Sequence, residues 1–328
     1  NSVGRFSRGE LYFPSFDGVS VVEASISDIE LWAAENDARL RTVISSLLEH
    51  VSRPSSTFAG LSLEQPVLMG VLNVTPDSFH DRGQFYDHDI AVFHAKTLIN
   101  AGAEILDIGG ESTRPGAKPV SAQEEIDRVL PVMERLVGED VLISVDTRRT
   151  TVMRAALAAG AAIVNDVTAL ADDGAVKVVK EAGASAIIMH MQGRPRTMQK
   201  NPHYDDAPYE ISTFLTKKVN EFEQAGLPME RIAVDPGIGF GKTEAHNFAI
   251  LKSISMLHGI GTAVVLGSSR KSFIGRAADA ESTDDRLPGT IAATLHAVSQ
   301  GAQIHRVHDV AAVKQALKIW QRSRTDVA

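Results

Sequence analysis

One pattern of apolar and polar positions repeats along the chain from Pro66 onward. A short apolar run, typical of a buried strand, is followed by a polar or glycine-rich loop and then by a segment with apolar residues at helical spacing. The eight apolar runs lie at residues 67–74, 104–110, 141–147, 161–167, 186–192, 231–237, 262–268 and 302–308. Helical patterns between and after them include residues 91–100, 123–136, 151–159 and 311–320. The chain therefore predicts eight strands that alternate with helices.

Regular alternation of strands and helices indicates parallel strands that are joined by right-handed crossovers. Eight such units over about 260 residues have the size of a (β/α)8 barrel. A doubly wound open sheet is the competing architecture, but no G-x-G-x-x-G loop follows the first strand. We therefore expect an α/β protein with a (β/α)8 TIM barrel over residues 57–328.

The first 56 residues follow a different pattern. Ser27 and Glu30 have the spacing of a helix capping box. Apolar residues then recur at helical spacing and predict one stripe, formed by Leu40, Val43, Ile44, Leu47, Leu48 and Val51. Residues 53–56 have the composition of a linker. We expect residues 1–56 to form an N-terminal helical extension that packs on the barrel or on a second subunit.

Charge and composition limit the kinds of partner. Lys and Arg total 33 against 41 Asp and Glu, which gives a formal net charge of −8, so the chain lacks the basic field that nucleic-acid binding needs. The sequence holds no cysteine, which excludes disulfides, thiolate zinc sites and cysteine nucleophiles. No apolar run reaches the length of about 18 residues that a membrane helix needs. These features predict a cytoplasmic protein with no nucleic-acid or membrane partner.

Polar residues follow the predicted strands at the end where barrel enzymes form their active sites. Asp107, Asp146, Asn165 and Asp235 even fall inside or at the edge of the apolar runs. Burial of a carboxylate costs several kcal/mol unless the group is paired or ligated. Each of these residues alone could make a structural hydrogen bond, but the whole ring indicates convergence on a polar ligand.

The side chains of this ring suit a particular chemistry. Asp146, Asn165 and Asp235 offer acceptors and an amide donor that match a flat heterocycle with amino, ring N–H and carbonyl groups. Cationic donors within residues 269–271 and at Arg306 and His308 suit a phosphate or pyrophosphate. Asn73 could ligate Mg²⁺ only together with oxygens of the ligand. The residues alone predict an enzyme for a small heterocycle with an anionic group, and they leave the reaction open.

At these positions the chain resembles the dihydropteroate synthases, the pterin-binding transferases of folate biosynthesis. The matching segments are GVLNVTPDSF (70–79), DIGGESTRPGA (107–117), SVDTRR (144–149), NDVTAL (165–170), MHMQGRP (189–195), DPGIGFGKT (235–243), GSSRKSFIG (267–275) and RVHDV (306–310). The resemblance spans residues 57–325, and it makes residues 57–66 a hairpin that closes the bottom of the barrel. It implies a reaction of p-aminobenzoate with 6-hydroxymethyl-7,8-dihydropterin pyrophosphate that gives 7,8-dihydropteroate and pyrophosphate.

The resemblance also implies roles for single residues. The pterin would contact Asp146, Asn165, Met189, Asp235, Gly267 and Lys271. The pyrophosphate would contact Asn73, Thr113, Arg114, Arg306 and His308, and Asn73 would also bind Mg²⁺. The p-aminobenzoate pocket would be formed by Thr113, Pro115, Phe240 and Ser272. The residues implied in catalysis are Asp146, Lys271, Arg306 and His308.

The implied mechanism is dissociative. Pyrophosphate leaves first, Mg²⁺ and cationic side chains stabilise it, and Asp146 faces the resulting pterin cation. Two loops, at about residues 74–88 and 111–122, would close over the site and exclude water. His80 and Arg82 depart from the common pattern of the first loop, which leaves loop closure and sulfonamide sensitivity open.

Two other functions share part of this pattern. A methyltransferase that passes a methyl group from a pterin to a corrinoid protein shares the Asn and Asp contacts, and a non-catalytic pterin carrier is a third hypothesis.

Gly239, Gly241 and Lys242 resemble a phosphate loop but lack the Walker spacing, which argues against a nucleotide site. We interpret His190 as a buried, hydrogen-bonded histidine and not a metal ligand. Family analogy further predicts a homodimer.

Overall fold

The computed structural model describes residues 8–15, 18–75, 84–112, 119–194 and 197–324. Its N-terminal part begins with an antiparallel hairpin of β1 (Arg8–Ser15) and β2 (Gly18–Ser25). Helices α1 (Ile26–Glu35) and α2 (Ala38–Ser52) follow. The predicted helical extension is therefore present, and it also contains a hairpin that the sequence analysis did not predict.

The start of α1 differs from the prediction. The side chain of Ser25, not Ser27, caps the helix by accepting a hydrogen bond from the amide of Asp28 at 3.1 Å. Ile29, Ala33 and Ile44 form a small core between the two helices. Only part of the predicted stripe on α2 packs inward, because Val43 remains 48% exposed.

The extension packs on the barrel of the same chain, which was one of the two expected arrangements. Nδ1 of His50, near the end of α2, lies 3.0 Å from the carbonyl oxygen of Gly259. Gln303 donates a hydrogen bond from Nε2 to the carbonyl oxygen of Ser55 at 3.0 Å. The chain thus ties the linker that follows α2 to the bottom of the barrel.

A short hairpin of β3 (Thr57–Phe58) and β4 (Leu61–Ser62) follows the linker. Within the part of the chain that the structure describes, eight parallel strands then close into a barrel. Neighbouring strands follow one another in sequence, and the last pairs with the first to close the barrel. They are β5 (Val67–Asn73), β6 (Ile105–Gly109), β7 (Leu142–Asp146), β8 (Ile163–Asp166), β9 (Ser185–Met189), β10 (Ile232–Asp235), β11 (Ala263–Leu266) and β12 (Ile304–Val307). Each strand overlaps one of the eight predicted runs, so the (β/α)8 barrel is confirmed.

Helices connect successive strands. They are α3 (Gln84–Asn100), α4 (Ala122–Glu134), α5 (Thr150–Ala158), α6 (Ala175–Glu181), α7 (Ala207–Gln224), α8 (Glu244–Lys252), α9 (Ser272–Ala277), α10 (Leu287–Ser299) and α11 (Val310–Arg322). Side chains of Ser121 and Asp206 cap α4 and α7 by accepting from free backbone amides, as expected for residues of this type at helix starts. None of the described helices is long and apolar enough to cross a membrane.

The two faces of the strands have different surroundings because side chains alternate along a strand. Positions such as Leu106 and Val145 point outward and pack with the helices in the main core. The opposite set forms an apolar layer inside the lower barrel, to which Met69, Ile105 and Ile187 contribute. Polar residues occupy the same inward phase one or two steps further along the strands, so they face the upper lumen.

The hairpin of β3 and β4 closes the lower end of the barrel. Phe58 is 1% exposed and belongs to the inner apolar layer together with Val67 and Ile304. This arrangement agrees with the hairpin that the family resemblance implies at residues 57–66. The lumen therefore opens at the end where the strands terminate.

We expect Phe58→Ala to lower the free energy of unfolding by about 3–5 kcal/mol, because it leaves a cavity in the inner layer. Urea denaturation monitored by circular dichroism measures the change. Phe93→Ala is the matched control, since Phe93 is 75% exposed and should change stability by about 0.5 kcal/mol or less. Equal losses in the two variants would contradict the assignment of Phe58 as the residue that closes the barrel.

Candidate active site

Four polar or small residues stand side by side at the upper end of consecutive strands. The register pairs Asn73 of β5 with Gly109 of β6, Gly109 with Asp146 of β7, and Asp146 with Asn165 of β8. Because neighbouring strands lie about 4.8 Å apart, this row follows one side of the barrel rim. The sequence-predicted residues of these strands thus lie at one height.

Asp107 is the hub of the hydrogen bonds beneath this row. It is fully buried, and its Oδ1 accepts a hydrogen bond from Ser144 Oγ at 2.7 Å. Its Oδ2 accepts from Asn165 Nδ2 at 3.0 Å and from Arg306 Nε at 2.6 Å. Because the side-chain Nδ2 of Asn165 donates to Asp107, the side-chain oxygen Oδ1 of Asn165 is the atom that can accept a hydrogen bond from a ligand.

Arg306 of β12 reaches across the lumen and joins two carboxylates. Besides the bond to Asp107, its Nη2 donates to Asp146 Oδ2 at 2.8 Å. Burial and the charge of Asp107 raise the pKa of Asp146 to about 7, against the opposing effect of Arg306. Burial tends to lower the pKa of Arg306, but Asp107 and Asp146 outweigh it and raise that pKa. The arrangement places a permanent cation between two buried acids.

A second charged pair lies on the neighbouring strands. Asp235 ends β10, and its Oδ1 accepts a hydrogen bond from the amide of Gly237 at 2.7 Å. Lys271 donates a hydrogen bond to the carbonyl oxygen of Ile238, and its Nζ lies 4.5 Å from the ring centroid of Phe240. Burial lowers the pKa of Lys271 to about 8 and raises the pKa of Asp235, while the attraction between the two groups opposes both shifts.

Gly267 and Met189 lie next to these groups. A Cβ atom at Gly267 would lie 3.7 Å from Asp235 Oδ2 and 3.8 Å from the Cβ of Arg306. Met189 is buried and pairs in register with Asp235. The glycine therefore keeps space between the acid of β10 and the cation of β12.

His308, Ser269 and Ser272 lie beyond the ends of β11 and β12. Nδ1 of His308 is 3.0 Å from Ser269 Oγ, and the backbone amide of His308 donates to the same oxygen at 3.2 Å. Ser272 begins α9 and is exposed. The structure thus brings the cation-bearing loop after β11 and the end of β12 together at the mouth.

Two further charged residues near the mouth, Arg270 and Asp166, are engaged by other groups of the protein. Arg270 donates from Nε to Asp309 at 2.7 Å and from Nη1 to Asp284 at 2.7 Å. The expectation that residues 269–271 together supply cationic donors to a phosphate is wrong for Arg270, whose charge these two acids neutralise. Asp166 accepts from the backbone amides of Thr168 and Leu170, and burial raises its pKa to about 6.

Several predictions fall outside the described residues. Thr113, Arg114 and Pro115 belong to residues 113–118, and His80 and Arg82 belong to residues 76–83. Their roles therefore stay predictions.

The sequence analysis missed Ser144, and although it placed Asp107 in the ring around a polar ligand, it missed the protein partners that Asp107 has in the lumen. The signal was available in both cases, because a polar residue in the inward phase of a buried strand needs a partner in the lumen. It also missed the network in which Arg149 donates to Glu111 Oε1 at 3.0 Å and to the carbonyl oxygen of Val120 at 2.6 Å. This network joins the end of β6 to the segment that precedes α4.

The donor set is poor in ligands for a metal held by protein alone. Among the described residues, no three His, Cys, Asp or Glu side chains come together in a way that could hold an ion. Asn73 is half-buried at the rim and offers one amide oxygen. That donor fits a hard cation such as Mg²⁺ only if a ligand with anionic oxygens completes the coordination.

Comparison with known proteins gives a consistent result. The model of the family described as pterin binding enzyme matches residues 69–308. Dihydropteroate synthase of Haemophilus influenzae is 46% identical over 262 residues, which cover 80% of this chain and 95% of that protein.

Solved structures agree with this family match. Xanthomonas albilineans dihydropteroate synthase with 4-aminobenzoic acid has a TM-score of 0.77 and 44% identity, and the match covers 81% of this chain and 96% of that one. The same enzyme in complex with 7,8-dihydropteroate has a TM-score of 0.75 and 42% identity, with 81% and 97% covered.

A closed parallel barrel with acids, an amide and cations gathered at one mouth defines a pterin-binding enzyme when the matching family model is taken into account. Within that class, the chain belongs to the dihydropteroate synthase family. It is accordingly a transferase.

We expect Arg306→Met to lower the free energy of unfolding at pH 8 by about 3 kcal/mol, because it leaves Asp107 and Asp146 buried without their cation. Burial and the charge of Asp107 already hold the pKa of Asp146 above its unfolded value, and loss of the cation raises it further. Such groups contribute stability at low pH that is lost as the pH rises through the folded pKa. The gap to the wild type should therefore be larger at pH 8 than at pH 5.

Urea denaturation at both pH values measures this gap. Arg276→Met is the control, because Arg276 pairs with Glu244 on the surface and such pairs contribute about 0–1 kcal/mol. A gap for Arg306→Met that does not change with pH would refute the explanation by buried acids.

Proposed function

We propose that this chain condenses 6-hydroxymethyl-7,8-dihydropterin pyrophosphate with p-aminobenzoate and releases 7,8-dihydropteroate and pyrophosphate. The observation that carries this proposal is the cluster of acids joined by Arg306 beside the pair of Asp235 and Lys271 at one mouth. Structures of a relative solved with 4-aminobenzoic acid and with 7,8-dihydropteroate, a substrate and the product of this reaction, support the proposal.

The pterin ring would bind in the upper lumen. Asp235 and the side-chain Oδ1 of Asn165 would accept from the amino and ring N–H groups of the pterin, and Lys271 would donate to the carbonyl oxygen of the pterin. Met189 and Gly267 would line the slot, where the absence of a side chain at Gly267 leaves room for a flat ring. Complementary donors and acceptors of this kind fix the orientation of a heterocycle.

The chemistry would begin with the bond between the methylene carbon of the pterin and the pyrophosphate oxygen. Both electrons of this bond leave with the pyrophosphate, which Arg306 and His308 would hold. Asp146 would stabilise the positive charge that develops on the pterin. The amine nitrogen of p-aminobenzoate then bonds to the methylene carbon and releases its proton to solvent. A neutral arylamine is already nucleophilic, so this step requires no side chain as a base.

Mg²⁺ would be held by Asn73 together with oxygens of the pyrophosphate. When bound, it would supply positive charge that stabilises the leaving group. The p-aminobenzoate pocket would include Phe240 and Ser272, with Thr113 and Pro115 contributed by the loop after β6. Thr113 and Arg114 would also contact the pyrophosphate.

We further infer that residues 57–328 form the catalytic domain and that residues 1–56 are an extension to it. This division is supported by the barrel location of the proposed ligand residues that the structure describes. We also propose that the chain acts as a cytoplasmic homodimer, as family analogy suggests.

Incubation of the purified protein with dihydropterin pyrophosphate, p-aminobenzoate and Mg²⁺ should yield 7,8-dihydropteroate and pyrophosphate in equal amounts. Chromatography and a pyrophosphate assay measure the two products. Removal of divalent cations with a chelator should lower the rate strongly, because the charge of the leaving group is then less well neutralised.

Two results would favour other functions. Binding of the pterin without any product would indicate a non-catalytic carrier. Transfer of a methyl group from a methylated pterin to a corrinoid, in the absence of condensation, would indicate the methyltransferase.

We expect Asp235→Ala and Lys271→Ala to weaken binding of the pterin about tenfold to a hundredfold each, since each removes hydrogen bonds that involve a charged group. Arg306→Ala should remove the gain in affinity that the pyrophosphate gives, and it should also weaken binding of the pterin ring, because Arg306 holds Asp146 and, through Asp107, the amide of Asn165. Calorimetry with the hydroxymethyl pterin and with its pyrophosphate separates the two effects. Arg276→Ala serves as the control, and unchanged pterin affinity in the first two variants would show that the ring binds elsewhere.

A further inference from the structure

The loop between β10 and α8 lies unusually close to the backbone that follows β9. Gly237 and Gly241 have positive φ angles of 69° and 62°. A Cβ atom would lie 2.0 Å from the carbonyl oxygen of His190 at the first position and 2.5 Å from that of Gln192 at the second. Only glycine permits this approach. The loop is therefore held against residues 190–192 along its length.

Lys242 at the end of this loop is buried, with 2% exposure. Its Nζ lies 3.0 Å from His190 Nδ1, 3.2 Å from the carbonyl oxygen of His190 and 3.0 Å from that of Phe240. Burial lowers the pKa of Lys242 to about 7, against the attraction of Asp235. In its charged form the group has three protons to donate, and these three acceptors match them. Lys242 thus bridges the end of β9 and the loop after β10.

His190 is suited to accept this hydrogen bond. Burial and the nearby charge of Lys242 lower the pKa of His190 to about 3, so the imidazole is neutral. Because Lys242 Nζ is a donor, we assign Nδ1 of His190 as the acceptor of this pair. The ring packs edge-on against Phe214 at 5.0 Å. A separate bond from Tyr204 Oη to the carbonyl oxygen of Gly241 at 2.9 Å fixes the other side of the loop. We call Lys242, His190 and Tyr204 the loop clamp.

The clamped loop carries two groups that contact Lys271. The carbonyl oxygen of Ile238 accepts a hydrogen bond from its Nζ, and the ring of Phe240 lies 4.5 Å from that atom. Gly239 between them is tied by its amide to Asn247 Oδ1 at 2.7 Å. A shift of the loop would move both supports of Lys271 together.

We propose that Lys242 is a positioning residue that acts through its loop on Lys271 and Phe240 and so sets the affinity for both substrates. This inference rests on the proposed function, in which Lys271 contacts the pterin and Phe240 the p-aminobenzoate. It accounts for a buried lysine and histidine that otherwise take no part in the reaction. It also explains the glycine-rich segment that resembled a phosphate loop, because the glycines permit close backbone contact.

Lys242→Met keeps most of the side-chain volume and removes the ammonium group. We expect the KM for p-aminobenzoate and the dissociation constant of the pterin to rise about tenfold, since a small displacement of binding groups has effects of this size or larger. The rate at saturation should change by less than about threefold, because the groups that face the pyrophosphate stay in place. Hydrogen exchange should become faster in residues 236–241.

Lys180→Met is the matched control, since Lys180 also donates to a backbone carbonyl, that of Ala225 at 2.9 Å, but lies on the exposed face of α6. If Lys242→Met does not fold, Tyr204→Phe tests the same loop by removing one hydroxyl, with the same readouts and a smaller rise in KM. Lowered thermal stability with unchanged KM and pterin affinity would overturn the proposal, because it would show a purely structural role.

The test separates the two proposals. Pterin binding by calorimetry and hydrogen exchange do not need turnover, so they report on Lys242 even in a protein without condensing activity. A wild type that forms no product overturns the proposed function. Faster exchange in the loop without any loss of pterin affinity overturns the role of Lys242.

Discussion

The arrangement of the site depends on one shared cation. Arg306 reaches Asp107 and Asp146 from the opposite side of the lumen, and it is separated from them in sequence by 199 and 160 residues. Two buried carboxylates so close together would repel each other without it. The guanidinium makes their burial possible, and through Asp107 it also fixes the orientation of the Asn165 amide.

The rest of the lumen follows from the period of two along each strand. The inward phase begins with apolar residues such as Ile105 and Ile163 at the bottom and continues with Asp107 and Asn165 above them. Among the inward-facing positions, the lower ones therefore form the apolar layer that stabilises the barrel, and the upper ones form the candidate site. The outward phase needs no such change, since it packs against helices along its whole length.

Much of this could be predicted from the sequence because the relevant patterns are local. The eight strands were visible as apolar runs, and Asp146, Asn165 and Asp235 stood out because they interrupt those runs. Partners could not be predicted, since closure of the barrel decides which cation meets which acid. Arg270 and Lys271 are adjacent in sequence, yet only the structure shows that Arg270 pairs with Asp309.

The hairpin of the extension was missed for another reason. A D-G pair at residues 17–18 between two apolar stretches is a hairpin signal. The helical spacing of apolar residues further along the extension is the stronger pattern, and it predicts helices only. Lys242 and His190 were also beyond local patterns, because their contact spans 52 residues. Resemblance to a family indicated the ligands of the site but not the contacts that support them.

Phe58 closes the lower end of the barrel, so among the described residues the lumen is open at the upper rim. A ligand that binds deep in the lumen, beside Asn165 and Asp235, has to bind before a second molecule that occupies the upper rim. It can dissociate only after that second molecule has left. Closure of the lower end by Phe58 therefore bears on the order in which ligands can bind. If the proposed substrates bind as inferred, the pterin would have to enter before p-aminobenzoate, and the product would leave through the same rim.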